Sequence, residues 1–327
     1  MSRSFIFALV PLLMCLSDLS RGQVETSEQK DTIRTYQIDE VVVSGTRTAK
    51  RIIDVPYPIN RIDEKQYKFE RKVAVDDVLG LVPGLFLQSR YGNHDVRISI
   101  RGFGSRSNSG IRGVRILLDG IPESEPDGQT RIEAIDFQSI GSIEVVKGNS
   151  SSLYTNAPGG VINFINDINF LKTFGVAFNQ FGSFDLRSNG FKTGIRTEKY
   201  GFLLTYNYHH AQGYRPNNED YWHIVNTVLE TSPGDLSHLY VYGYFVDGLI
   251  RLPGSLTKAQ FDADPFQPNA KDVGRDTRRI TAKGRVAVRF HTFLEEEQTN
   301  EIDLTLYGTS KYFERTASNY RIIGRDG

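Results

Sequence analysis

The sequence predicts an α+β domain followed by the start of an antiparallel transmembrane β-barrel, about seven strands of it, too few to close. Three observations predict this. Short β-type runs at Val96–Ile100, Val114–Leu118 and Ser142–Lys147 each end at a glycine-bearing turn, which suits a small α+β unit rather than a helical domain. From about Thr173 the chain alternates apolar and polar residues with period two. The connections between the alternating segments are short on one side and longer on the other, as membrane barrels show.

A chain of 327 residues has room for two domains or one large barrel. Its 39 basic and 39 acidic residues balance, so no global field points to nucleic acid or to an anionic surface. Sixteen Tyr and 20 Phe against two Met favour strands over helical bundles.

Residues 1–22 read as a secretory signal peptide. Arg3 supplies the positive start, Phe5–Leu16 an apolar run of 12 residues, and Ser20-Arg21-Gly22 the small residues at −3 and −1. The apolar run is too short to span a bilayer as a helix. Met14 before Cys15 argues against a lipid-modified cysteine, and Cys15 is the only cysteine, so the mature chain is expected to hold no disulfide. Residues 23–37 are polar and aperiodic, a flexible linker too short for a further folded domain. In 38–47, Val41-Val42-Val43 follow Asp39-Glu40. This β segment at the end of the arm can add itself to a partner's sheet edge or serve as a first strand.

In the domain that follows, Pro56 and Pro58 enforce extended backbone. Val73–Leu81 predicts a short amphipathic helix, with Val75, Val78, Leu79 and the following Val82 at helical spacing. Pro83-Gly84 stops it and Leu85-Phe86-Leu87 opens a strand. Asp76 and Asp77 fall in the first helical turn, where the dipole favours them, and read as a solvated helix start rather than a catalytic dyad. Gly102-Phe103-Gly104-Ser105-Arg106-Ser107 shares the beginning of a dinucleotide fingerprint. Asn108-Ser109-Gly110 and then a strand follow it, where a phosphate site needs a helix.

Seven candidate strands come next: 173–181, 184–195, 201–211, 221–231, 236–247, 278–290 and 300–313. Phe202, Leu204, Tyr206 and Tyr208 share one face, and Leu203, Thr205 and Asn207 the other. Ile280, Ala282, Gly284, Val286, Val288 and Phe290 oppose Thr281, Lys283, Arg285 and Arg289. Ile302, Leu304 and Leu306 oppose Glu301, Asp303 and Thr305. Apolar outside and polar inside is the pattern of a membrane barrel strand. Placing the first strand rising from the side of the preceding α+β domain leaves short turns at 196–200, 232–235 and 291–299 there. The connections at 212–220 and 248–277 fall outside, and the short one at Gly182-Ser183 fits less well.

The stretch Ser99–Ile165 resembles the plug of TonB-dependent outer-membrane receptors. The resemblance rests on Ile100-Arg101-Gly102-Phe103, Val114–Pro122, Ile143-Glu144-Val145-Val146-Lys147-Gly148 and Ala157–Asn163, four motifs in family order. It departs at Gly148-Asn149, where the family has Gly-Pro, and at Tyr154-Thr155, where it has Tyr-Gly. The resemblance implies a plug domain over 48–170, with Arg101, Gly102, Phe103, Asp119, Gly120, Glu144, Lys147 and Gly148 as its motif residues, and the amino-terminal part of a barrel over 171–327. Arg101 and Glu144 match plug positions whose charges hold the plug to the barrel wall. Asp39, Glu40, Val41, Val42, Val43 and Ser44 resemble the TonB box, the contact for the periplasmic energy transducer TonB.

The implied function is active import of a scarce nutrient through the outer membrane of a Gram-negative bacterium. Leu252–Thr257 with Lys258-Ala259-Gln260-Phe261 is similar to ferric-citrate-type receptors and favours a ferric siderophore or other iron chelate as ligand. Cobalamin or oligosaccharide uptake, a passive porin-like or adhesion barrel, and a secreted enzyme are the alternatives. Large plugged barrels have about 22 strands, so the chain reads as an amino-terminal piece or a truncated product ending in an outer loop. The loops Ser89–His94 and Ser105–Gly110 are expected to reach the outer vestibule, with Arg90, Tyr91 and Arg106 at the ligand, because guanidinium forks suit oxygen-rich anionic chelates. No catalytic residue, cofactor or metal site is expected. His94, His209, His210, His223, His238 and His291 lack metal-ligand spacing, and adjacent His209 and His210 point to opposite faces of a strand.

Overall fold

The computed structural model describes residues 42–43, 50–91, 95–105, 110–297, 299–316 and 322–326. The expected signal peptide and linker and most of the TonB-box-like segment lie outside them. Val42–Val43 (β1) pairs antiparallel with Lys50–Arg51 (β2). Of the expected TonB contacts, these two valines alone fall within the described residues.

The plug is built on a five-stranded mixed sheet. Its strands are Ile59–Asp63 (β3), Val114–Leu118 (β6), Ile121–Pro122 (β7), Ile140–Lys147 (β8) and Gly160–Asn166 (β9), in the order β3-β8-β9-β6-β7. β6 and β9 run parallel and the other neighbours antiparallel. Leu85–Tyr91 (β4) and Asp95–Ile100 (β5) form a separate hairpin. Where the prolines predict extended backbone, a tight turn at Ile52–Asp54 is followed by a bend at Pro56–Tyr57 before β3 begins, and Glu64–Tyr67 (α1) follows β3 at once. At Gly160 φ is +135°, and an added Cβ would lie 2.1 Å from the Val146 carbonyl oxygen. Only glycine lets β8 and β9 approach there.

The expected amphipathic helix is present as Val75–Leu79 (α2), with Val75, Val78, Leu79 and Val82 buried. Its start differs from the expectation. Asp76 is solvated, but the Asp77 side chain is 2% exposed and accepts from the Val73 and Ala74 amides at 3.2 and 3.0 Å. Orphan amides at a helix start need an acceptor, and Asp77 supplies it by folding back inward.

The wall is one antiparallel sheet in chain order. Its strands are Phe174–Gly182 (β10), Leu186–Arg196 (β11), Tyr200–Ala211 (β12), Asp220–Gly234 (β13), Ser237–Arg251 (β14), Arg278–Phe293 (β15), Glu301–Thr316 (β16) and Ile322–Asp326 (β17). The seven expected strands are all there. An eighth, β17, stands where the reading had an outer loop, because Ile322, Arg325 and Asp326 return to pair with Thr316, Glu314 and Phe313 of β16. Period-two burial is clear along β12, β13 and β15, whereas β10 and β16 are exposed on both faces over much of their length. Leu203, Thr205, Asn207 and His209 are buried while their neighbours stay half-exposed. Ile302, Leu304 and Leu306 stand exposed. Trp222, Ile224, Tyr244, Val246, Ile250 and Leu252 from the wall join the plug residues in one apolar core.

The long connection between β14 and β15 is folded, not slack. Lys258–Ala263 (α3) is N-capped by Thr257, whose amide in turn donates to the Gln260 side chain at 2.9 Å. Asn269 caps Ala270–Val273 (α4). Arg215 from the preceding outer connection donates to the Gln267 and Gly254 carbonyls at 2.9 and 3.0 Å.

Candidate functional site

The chemistry of this chain gathers where the plug meets the inner face of the wall. The β6–β7 turn and the segment after it carry Asp119, Glu123, Glu125 and Glu133, with Asp127 turned to Arg112 within the plug. Period two brings Arg279, Lys283 and Arg285 of β15 to the inner face, and Lys311 of β16 lies directly across from Lys283. Glu123 is fully buried, with Lys283 Nζ at 2.6 Å on one oxygen and Arg285 Nη1 at 2.5 Å on the other. Tyr244 Oη donates to it at 3.1 Å, and Arg285 also donates to the Pro122 carbonyl at 2.7 Å. Glu133, 1% exposed, stands 3.7 Å from Arg279 and 3.4 Å from Lys311, and Lys311 also bonds Glu125. Burial would raise the Glu133 carboxyl, but Lys311, Arg279 and Arg131 around it outweigh that and hold it at about 2.

A second seam lies along β12 and β13. Asp136 of the plug accepts from Asn207 Nδ2 at 3.1 Å, and burial pushes its carboxyl up. His209 Nε2 lies 3.3 Å from Asp220 on the same inner face. A cavity of about 20 Å³, lined by Lys72, Ile132, Asp136, Ser188, Asn207 and His209 among others, separates plug and wall there. His210 is on the opposite face, near Glu219 and Asp185. At the chain's passage from plug to wall, Lys192 binds Asp167 at 2.7 Å, and Arg196 donates to the Phe170 carbonyl at 3.0 Å.

The motif residues serve the plug's own turns. Asp119 accepts from the Asn166 amide and side chain at 2.9 and 2.6 Å, and Gly120 N donates to Asn163 at 3.0 Å. Burial pushes the Asp119 carboxyl up to about 6 against the pull of those bonds. Arg101 adopts φ +49° and its amide donates to the Gly84 carbonyl at 3.1 Å, while Phe103 is half-exposed. Lys147 Nζ donates to the Pro83 carbonyl at 2.6 Å. Gly148 takes φ +122° at the end of β8. Glu144 lies beside Arg61 at 3.7 Å within the plug sheet. The described plug–wall ion pairs therefore run through carboxylates other than Glu144. Sequence reasoning missed Glu123, Glu125 and Glu133, whose irregular setting among prolines, serine and glycine carries no periodic signal. Arg90 and Tyr91 belong to β4 by backbone, with side chains outside the described residues, and Arg106 is outside them too. Among the described residues no three metal-ligating side chains cluster.

The TonB-dependent Receptor Plug Domain matches residues 51–161. The chain is 24% identical to a hemin receptor of Yersinia enterocolitica over 153 residues, 46% of this chain and 21% of that one. It is 24% identical to a ferrioxamine receptor of the same organism over 208 residues, 60% of this chain and 27% of that one. The fold is similar to that of the ferric citrate transporter FecA in its unliganded form, with a TM-score of 0.66, 17% identity and coverage of 79% of this chain and 40% of that one. The chain thus spans 21% to 27% of the length of these curated relatives. Residues 51–161 thus match the plug domain of TonB-dependent receptors, and the chain shares with the ferric citrate transporter the fold of a plug followed by an antiparallel wall.

Proposed function

We propose that the receptor containing this chain imports an iron chelate across the outer membrane of a Gram-negative bacterium. The observation that carries the reading is a plug pinned by buried charges to the inner face of a wall whose outer face is apolar. Such a plug blocks passive flow, so passage requires work on the plug, which separates an importer from a porin. Among the described residues no helix is long and apolar enough to cross a membrane, and in this reading the wall strands do so. The names of the relatives, receptors for hemin and ferrioxamine and a ferric citrate transporter, support iron-bearing cargo. Family members are receptors and transporters rather than enzymes.

The finer assignments follow from the same reading. TonB engages Asp39, Glu40, Val41, Val42, Val43 and Ser44 by strand addition. Arg90, Tyr91 and Arg106 contact the chelate. The plug occupies 48–170 and the barrel part begins at 171, in the connection between β9 and β10. The test is uptake of radioactive iron chelates by iron-starved cells that depend on the full-length receptor, with and without a proton uncoupler. Accumulation that stops with the uncoupler supports import, and uncoupler-insensitive flux would point to a porin. Val42→Pro, which removes a backbone donor, should abolish uptake while surface binding of the chelate persists.

A further inference from the structure

Every described ion pair between plug and wall has the same polarity. The plug supplies the carboxylate: Glu64 and Asp167 toward Lys192, Glu123 toward Lys283 and Arg285, Glu125 and Glu133 toward Lys311, and Glu133 toward Arg279. The described plug–wall hydrogen bonds follow suit. Tyr244, Asn207, Gln180 and Arg285 of the wall donate, and Glu123, Asp136 and the Arg71 and Pro122 carbonyls of the plug accept.

The wall cations are crowded on their own account. Arg279, Lys283 and Arg285 share the inner face of β15, with successive inward positions about 7 Å apart. Lys283 and Lys311 are direct cross-strand partners on β15 and β16. Like charges placed opposite each other repel. All four side chains are at most 15% exposed, so water does little to screen them. This patch of wall requires an anion, and at rest the plug provides three carboxylates. A plug that moves aside takes those carboxylates with it.

We propose that Arg279, Lys283, Arg285 and Lys311 form an anion-binding surface that Glu123, Glu125 and Glu133 occupy at rest and that an oxygen-rich anionic ferric chelate occupies during passage. The proposal rests on the import reading for its cargo. The plug acidic residues act as stand-ins for the chelate's carboxylates or phenolates, so cargo of the right charge replaces them and cargo without it meets a bare cationic wall.

The binding test uses purified full-length receptor and free citrate as probe. The variant E123Q/E125Q/E133Q should bind citrate saturably and at least tenfold more tightly than wild type. Adding Arg279→Gln and Lys311→Gln should remove the gain. Should the triple variant fail to fold, E125Q/E133Q frees Lys311 while leaving Glu123 with its two cations, and it should show the same gain on a smaller scale. No gain in a folded variant overturns the proposal. The transport test uses Lys311→Gln, which should slow uptake of the anionic chelate at least fivefold with its outer-face Kd unchanged. Wild-type uptake in that variant also overturns the proposal. A wild-type receptor that imports no iron chelate would instead sink the import reading, and the citrate measurement would still decide on the wall.

Discussion

Two seams join plug and wall, and they are built from different chemistry. Along β15 and β16 the contact is ionic, with Glu123 fully buried between Lys283 and Arg285. Along β12 and β13 it is mostly uncharged on the wall side. Asn207 meets Asp136 beside a cavity of about 20 Å³, room for one water. A desolvated ion pair is unforgiving, because removing one partner strands the other in low dielectric. A hydrogen bond from an uncharged amide beside a small polar cavity can hand its partner to water. The comparison teaches that the β15–β16 seam fixes the plug's seating, while the β12–β13 seam tolerates adjustment.

The sharpest way to break this comparison is Glu123→Ala. It leaves Lys283 and Arg285 uncompensated and should destabilise the plug's seating by about 3–5 kcal/mol. Hydrogen exchange of the amides from Ile121 to Ala134 would report it, and protection equal to wild type would show the seam to be dispensable.

Acid titration separates two carboxylates of opposite sign. Glu133 is held at about 2, below its ordinary 4.5, so its stabilisation is full above pH 4.5 and is lost as pH falls through 2. The loss is of order 3 kcal/mol by linkage. Asp119 is raised to about 6 from 3.8, so the fold binds its proton more readily than the unfolded chain does. Stability from Asp119 therefore falls as pH rises from about 4 to 6. Glu133→Gln should erase the acid-side loss and Asp119→Asn the loss between pH 4 and 6, both read from chemical unfolding against pH.

In the softer seam, Asn207→Ala should cost about 1–2 kcal/mol, since Asp136 loses one donor and the adjoining cavity admits water in its place. A cost as large as that of Glu123→Ala would erase the distinction between the seams. The smallest effect is expected at Arg289→Gln. Arg289 pairs with Asp303 within the wall, both about 30% exposed, and such pairs contribute less than about 1 kcal/mol. Thermal unfolding of this variant indistinguishable from wild type would show that burial, not charge alone, gives the β15–β16 seam its weight.

Much of this architecture is written locally. Val75, Val78, Leu79 and Val82 announce α2 through their spacing, and the alternation of Leu203, Thr205 and Asn207 against Phe202, Leu204 and Tyr206 announces a wall strand with its correct inner face. The capping role of Asp77 is less legible, because Asp76 shares its helix turn and only the packing of Val73 and Ala74 selects one of the pair. β17 is too short to show a period. The ionic seam was out of reach for a different reason. Glu123 and Lys283 lie 160 residues apart, and nothing near either names the other. The sequence shows that Lys283 and Arg285 share the polar face of their strand, but only the docked plug shows what they point at.

Trp222 is the chain's single tryptophan and is fully buried on the inner face of β13, in the core shared by plug and wall. Its indole lies across Gly248 of the next strand, where an added Cβ would come within 2.2 Å of the ring. This stretch therefore places its one indole at the boundary between plug and wall. Emission should be blue-shifted and shielded from iodide while the plug is seated. Displacement of the plug should shift it red and open it to quenching, a spectroscopic clock for plug movement that needs no added label.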